Sequence, residues 1–157
     1  MTPLQKKVFQ ILQIFTQICD QLQLKYFLVC GSALGAVKYG GFVPWDDDVD
    51  VALFRDDYER FCKEAPALLP KQFFLQNFQS DPAFPAIYSK LRNSETTCIE
   101  ESVAALPINH GISIDIFLWM VTRQIKKNRN DWNVRKLGLS ESSPFPAFVL
   151  SDGRKRL

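Results

Sequence analysis

The chain has 157 residues, 46% hydrophobic and 23% charged, which fits one soluble globular domain with a core of its own. No apolar run approaches the ~20 residues that span a bilayer, and Gln10, Gln13, Gln17 and Asp20 interrupt the N-terminal apolar stretch, so neither a transmembrane segment nor a signal peptide is expected and a cytoplasmic location is the default. The net charge of +2 hides an uneven split: residues 1–117 carry 10 Lys or Arg against 14 Asp or Glu, and residues 118–157 carry 9 against 3.

In chain order, residues 4–24 read as an amphipathic helix, with Leu4, Val8, Ile11, Leu12, Phe15, Ile18, Cys19 and Leu22 at three- and four-residue steps and Pro3 suited to its first turn. Tyr26 to Cys30 is a short strand stopped by Gly31, after which residues 31–35 turn into a short helix and Gly40-Gly41 marks another turn. Val49 to Phe54 reads as a strand, Arg55 to about Leu69 as a helix, and Phe73–Phe78 and Ala86–Arg92 as strands. Ile112 to Phe117 alternates cleanly, with the single carboxylate Asp115 among isoleucines. Beyond Leu118 the apolar periodicity fades, and only a short helix around Val121–Asn128 is expected. The division is therefore a folded body over 1–117 and a poorly ordered basic tail over 118–157. Cys19, Cys30, Cys62 and Cys98 are scattered with no C-x-x-C pair, so zinc is not expected and buried free thiols are.

The chemistry sits in the run Pro44-Trp45-Asp46-Asp47-Asp48-Val49-Asp50-Val51. On a regular strand Asp46, Asp48 and Asp50 would share one face about 6–7 Å apart while Val49 and Val51 fill the other. Carboxylates so close repel unless a cation lies between them, and hard oxygen ligands suit Mg²⁺, which fills its remaining positions with water and substrate phosphate. An EF-hand calcium loop does not fit: counted from Asp46, Val51 stands where Gly is needed and Asp57 where Glu is needed. Upstream, Gly31 lets a phosphate approach the backbone, and Ser32 follows in a turn entering a helix, whose N–H groups favour anions. Trp45 is expected to pack behind the acidic run, Asp47 to cap or brace, and Asp46 to serve either as a ligand or as a partner of one. Arg55 reads as a surface charge at a helix start, and His110, the only histidine, as structural. No aromatic–basic interleaving supports a nucleic-acid partner.

Gly-Ser followed by Asp-x-Asp on a strand and later by a lone strand Asp resembles the nucleotidyltransferase superfamily. The longer match, from Gly31 to Val37 and Gly41 to Val51, with Arg55–Phe61, Lys90-Leu91-Arg92, Thr96-Thr97 and Gly111–Phe117, resembles the LicD family of phosphocholine and fukutin-type ribitol-phosphate transferases. The resemblance covers residues 4–117 and implies an α+β (α/β) fold, a mixed sheet flanked by helices. It further implies transfer of a phospho-alcohol from a CDP-activated donor to a hydroxyl of a cell-surface glycan or glycolipid, such as lipopolysaccharide or teichoic acid, with peripheral membrane association. Asp48 and Asp50 would hold Mg²⁺ or Mn²⁺, Asp115 would be a third ligand or the base, and Lys90 with Arg92 would offset charge on the leaving CMP. A chain reduced to a non-catalytic relic and a minimal nucleotidyltransferase acting on protein or RNA are the alternatives.

After the last aspartate strand such proteins read Ile-Phe-Pro-Leu-Asp, whereas this chain reads Ile116-Phe117-Leu118-Trp119-Met120. Deleting one C from TTC-CCT-TTG-GAT-G yields TTC-CTT-TGG-ATG, which encodes Phe-Leu-Trp-Met. The expectation is a frameshift that leaves residues 118–157 out of frame and removes the part that covers the acceptor pocket. Sequencing the gene checks it: no family-like sequence in the other downstream frame refutes it.

Overall fold

A computed structural model describes residues 1–120 and, beyond them, the backbone of two short strands, Asn133–Lys136 and Phe148–Ser151. Helix α1 runs over Pro3–Gln21, β1 over Tyr26–Leu28, α2 over Cys30–Tyr39, β2 over Asp50–Phe54 and α3 over Arg55–Glu64, followed by a 3₁₀ turn at Ala65–Ala67. Strands β3 (Phe73–Gln76), β4 (Ser89–Asn93) and β5 (Ile112–Trp119) complete a five-stranded sheet in the order β1-β2-β5-β4-β3. The central pair β2–β5 is parallel and the other pairs are antiparallel, so the fold is α+β with a mixed sheet. The two further strands, β6 (Asn133–Lys136) and β7 (Phe148–Ser151), pair antiparallel with each other. The helix expected around Val121–Asn128 lies outside the described residues.

Sequence explains the start of α1 in detail. Thr2 accepts from the Gln5 N–H (3.1 Å), and the Gln5 side chain accepts from the Thr2 N–H (2.8 Å), a reciprocal cap. The same Gln5 amide donates to the Asp46 carbonyl at 2.6 Å, which ties the helix to the acidic loop. The apolar stripe of α1 is buried as its spacing requires, and Phe15 packs against Tyr26 and Phe61 with ring centroids 5.3 and 5.1 Å away. Val51, Leu53, Leu91, Ile114 and Ile116 join that core from the sheet. The opposite face carries the charged residues of β2, β4 and β5.

Helix α2 ends at Gly40 in the left-handed conformation (φ 65°), whose N–H returns to the Gly35 carbonyl. Gly35 has no room for a side chain: a Cβ there would lie 2.5 Å from the Gly41 carbonyl oxygen and 2.9 Å from the Val43 nitrogen. Gly35→Ala is expected to destabilise by about 1–3 kcal/mol through overpacking, read as a lower urea midpoint at unchanged slope. An unchanged midpoint would show that the Gly41–Val43 turn yields freely.

Three expectations are corrected. The acidic run is not a strand until Asp50; Asp46 to Asp48 lie in a loop that begins with a turn closed by the Asp46 N–H on the Val43 carbonyl (3.0 Å). Trp45 does not pack behind it but is 80% exposed, edge-on to Tyr39, because it stands at the tip of the Val43–Asp46 turn. Only Cys19 among the four free cysteines is buried; Cys30 and Cys98 are exposed. Among the described residues no helix is long and apolar enough to cross a membrane.

Candidate active site

The backbone of Asp50 is fixed on both sides. Its N–H donates to the Ser32 hydroxyl (2.9 Å), and its carbonyl accepts from the Val29 N–H (3.1 Å). Ser32, 5% exposed, is thus occupied in anchoring the first residue of β2 to α2. The close approach that Gly31 permits is taken by Asp46, whose Oδ2 would lie 2.6 Å from a Cβ at residue 31. A side chain at 31 would displace the Asp46 carboxylate from this position.

Strand register assembles the rest. Asp50 stands opposite Asp115 across the parallel β2–β5 pair, and Lys90 stands opposite Asp115 across the antiparallel β5–β4 pair. Directly opposed residues share a face, so the three side chains project together. The ladder reaches one residue further, since the Asp115 N–H donates to the Val49 carbonyl at 2.9 Å. Lys90 Nζ lies 3.0 Å from Asp115 Oδ1 and 2.9 Å from Glu100 Oε1. Burial alone would weaken the Lys90 ammonium, but Asp115 and Glu100 outweigh it and raise its pKa.

The carboxylates strain against one another. Asp50 is pushed up to about 6 by burial and by the charges of Asp115 and Asp46, against the opposing hydrogen bond from the Cys30 thiol and the charge of Lys90. Asp48 is pushed up to about 6 by burial, by the Asp50 charge and by its contact with Asp46. Asp46, Asp48, Asp50 and Asp115 are the oxygen donors available to a cation. Among the described residues no three such side chains converge tightly enough to hold a metal ion as they stand.

A cavity of about 300 Å³ opens beside this group, lined by Asp48, Tyr88, Lys90, Arg92, Glu100 and Asp115 among others. Asp47 reaches its rim and is exposed. Arg92 lines the cavity but is 2% exposed: its Nε donates to Gln76 Oε1 and its Nη1 to the Gly111 carbonyl (2.7 Å). Two of its nitrogens therefore hold the protein together, and Nη2 lies 4.0 Å from Glu100. Arg55 pairs with Glu59 on the surface (3.1 Å), and His110 Nε2 lies 3.1 Å from the Leu106 carbonyl inside its own loop.

Sequence reasoning missed Glu100, Cys30 and Gln76. Glu100 sits in an irregular loop with no periodicity to aim it, and Gln76 was one polar residue at a strand end. Cys30 had a detectable signal: it directly precedes Gly31, so the turn that carries Ser32 to Asp50 also carries the thiol there.

A sequence model described as LicD/FKTN/FKRP, nucleotidyltransferase domain, matches residues 23–137. The lipopolysaccharide cholinephosphotransferase LicD of Haemophilus influenzae is 45% identical over 51 residues, 32% of this chain and 19% of that protein. Uncharacterised proteins of Rickettsia typhi and Rickettsia prowazekii are 29% identical over 59 residues and 30% identical over 50, covering 38% and 32% of this chain. The matched stretches span about a fifth, 19%, of each relative's length. The match over most of the chain, the mixed sheet and the paired aspartates on its central strands agree: the chain belongs to the LicD/FKTN/FKRP nucleotidyltransferase-domain family.

Proposed function

We propose that this chain transfers a phospho-alcohol of the phosphocholine type from a CDP-activated donor to a hydroxyl of a glycan or glycolipid, with Mg²⁺ or Mn²⁺ held by Asp48, Asp50 and Asp115 and assisted by Asp46. The observation that supports it most is the register of Asp50, Asp115 and Lys90 on three neighbouring strands beside a cavity. The name of the Haemophilus relative supplies the acceptor class. The raised proton affinity of Asp48 and Asp50 fits a cation: the charge repulsion that protons relieve is the one a divalent ion relieves. When bound, the ion neutralises charge on the diphosphate and on the departing oxygen.

In the transfer, the acceptor oxygen bonds to the phosphorus that bears the alcohol, and the bond from that phosphorus to the CMP oxygen breaks with its electron pair. The acceptor proton passes to a carboxylate; Asp115 takes that role where Asp46, Asp48 and Asp50 hold the ion, and is otherwise its third ligand. Lys90 keeps Asp115 oriented by its 3.0 Å contact and brings positive charge to the cavity wall.

The test is purified chain with CDP-choline, Mg²⁺ and lipopolysaccharide, followed by CMP release. Release that needs the metal and is lost in Asp48→Ala/Asp50→Ala supports the reading. Nucleotide binding without turnover replaces it with a binding-only relic. Consumption of ATP or CTP with pyrophosphate release replaces it with a nucleotidyltransferase acting on protein or RNA.

A further inference from the structure

The connection between β4 and β5, residues 94–111, is clasped at its base. The Cys98 N–H donates to the His110 carbonyl (2.6 Å), the Ile112 N–H to Thr96 Oγ1 (2.9 Å), and the Asn109 side chain to Ser94 Oγ (2.8 Å). Beyond the clasp the loop carries a short 3₁₀ turn at Glu101–Val103, followed by backbone bonds from Leu106 to Val103 and from Ile108 to Leu106, and is largely exposed. Glu100, at the start of that turn, reaches back into the cavity. A single oxygen, Oε1, lies 2.9 Å from Lys90 Nζ and 4.0 Å from Arg92 Nη2.

That oxygen therefore faces both cations of the cavity wall at once. Asp115 holds Lys90 from another side, the Tyr88 ring centroid is 5.7 Å from Nζ, and the Lys90 side chain is only 8% exposed. Arg92 has its remaining nitrogens on Gln76 and Gly111. A phosphate oxygen and a carboxylate oxygen compete for the same donors. The two carboxylates on Lys90 are not equivalent. Asp115 is fixed in a central strand and 20% exposed, whereas Glu100 is 47% exposed on a loop, where water replaces a lost ion pair at little cost.

We propose that Glu100 is an internal stand-in for the donor's phosphate: a displaceable latch that occupies Lys90 until an incoming diphosphate takes its position and frees the tip of the 94–111 loop. The proposal rests on reading this cavity as the donor site. Without the displacement, a diphosphate would find Lys90 and Arg92 already facing Glu100, and the like charge of that carboxylate would oppose entry. With it, one carboxylate leaves as the polyanion arrives. Glu100 thereby sets how tightly the site holds a polyanion.

The experiment is hydrogen exchange and calorimetry on the full chain, on Glu100→Gln and on Lys90→Met, with pyrophosphate and with CDP, in Mg²⁺. In Glu100→Gln the Val103 and Ala104 amides, which bond within the loop's short turn, should exchange faster, while Cys98 and Ile112 in the clasp stay protected. Pyrophosphate should loosen the same tip in the wild-type chain. It should bind Glu100→Gln roughly threefold to tenfold more tightly, as expected when the competent state was only a minor fraction. Lys90→Met should free the tip and lose the anion. Pyrophosphate that tightens the tip, that binds Glu100→Gln equally or more weakly, or that binds neither chain overturns the latch. Tip release by pyrophosphate without CMP formation from CDP-choline keeps the latch and removes the transferase reading. Metal-dependent CMP formation with an unmoved tip does the reverse.

Discussion

Asp50→Asn should make the metal-free protein more stable at pH 7.5 and at the same time nearly inactive. Asp50 is held in place by its backbone, through Ser32 and Val29, so its carboxylate cannot retreat from Asp115 on the neighbouring strand. Burial and those neighbouring charges push it up to about 6, against roughly 4 in an unfolded chain. A carboxyl with a raised folded pKa contributes stability that is complete below the unfolded value and is lost as pH rises through the folded one. At pH 7.5 without metal the wild-type chain has lost that contribution; the neutral, equally shaped Asn never carried the charge. The variant should therefore melt higher than wild type at pH 7.5, with the gap closing as pH falls through about 6 and gone below about 4. Mg²⁺ at pH 7.5 should raise the wild-type melting temperature and leave the variant's nearly unmoved. Turnover of CDP-choline should fall on the order of 10²–10³-fold, the size of effect seen when one transition-state contact is removed. A metal-free variant that melts lower than wild type at pH 7.5 would mean that Asp50 is a structural charge, and the strained-site account would fail. The opposite signs of the two effects are what distinguish a functional carboxylate cluster from an ordinary ion-pair network.

The parts of this molecule that were legible in the sequence are those set by local spacing. The stripe from Val8 to Cys19 packs as its three- and four-residue steps require, because a capped amphipathic helix needs nothing remote to define its face. The alternation of Ile112, Ile114 and Ile116 around Asp115 survives in β5, with Ile114 and Ile116 buried and Asp115 facing the cavity. The acidic run misleads for a physical reason. Alternation places side chains only where a ladder keeps the backbone extended, and the turn at Val43–Asp46 delays pairing until Val49 and Asp50. Arg92 shows another limit: a strand charge next to Lys90 reads as a second substrate cation, and the structural bonds it also makes go to Gln76 and Gly111, 16 and 19 residues away in sequence. Nor does any short window show that β2 and β5, separated by two other strands in the chain, become parallel neighbours. That pairing alone brings Asp50 to Asp115.

The largest stability loss should come from Arg92→Leu. Arg92 is among the largest fully buried side chains, and it satisfies the Gln76 side-chain oxygen and the Gly111 carbonyl from inside the protein. Gly111 begins the turn into β5, and a Cβ there would collide with the Asn93 carbonyl, so this corner has no slack to bring another donor in. Leucine fills part of the volume but leaves both acceptors without a partner and Glu100 without its second cation. We expect a loss of about 3–5 kcal/mol by urea unfolding, the range for removing one partner from a buried charged network. Arg92→Lys keeps the charge but not the fork that spans two acceptors, and should recover only part of it. Lys90→Met provides the contrast. Its partners Asp115 and Glu100 are carboxylates rather than neutral acceptors, so it removes an ion pair at the cavity wall, and its expected signature at neutral pH is the loss of anion binding. The Arg92→Leu deficit should persist from pH 7.5 to pH 5, because neither an amide oxygen nor a peptide carbonyl titrates there. An Arg92→Leu protein within about 0.5 kcal/mol of wild type, the range of ordinary surface substitutions, with pyrophosphate binding lost, would leave Arg92 the role of a substrate cation alone and make the Gln76–Gly111 clasp incidental.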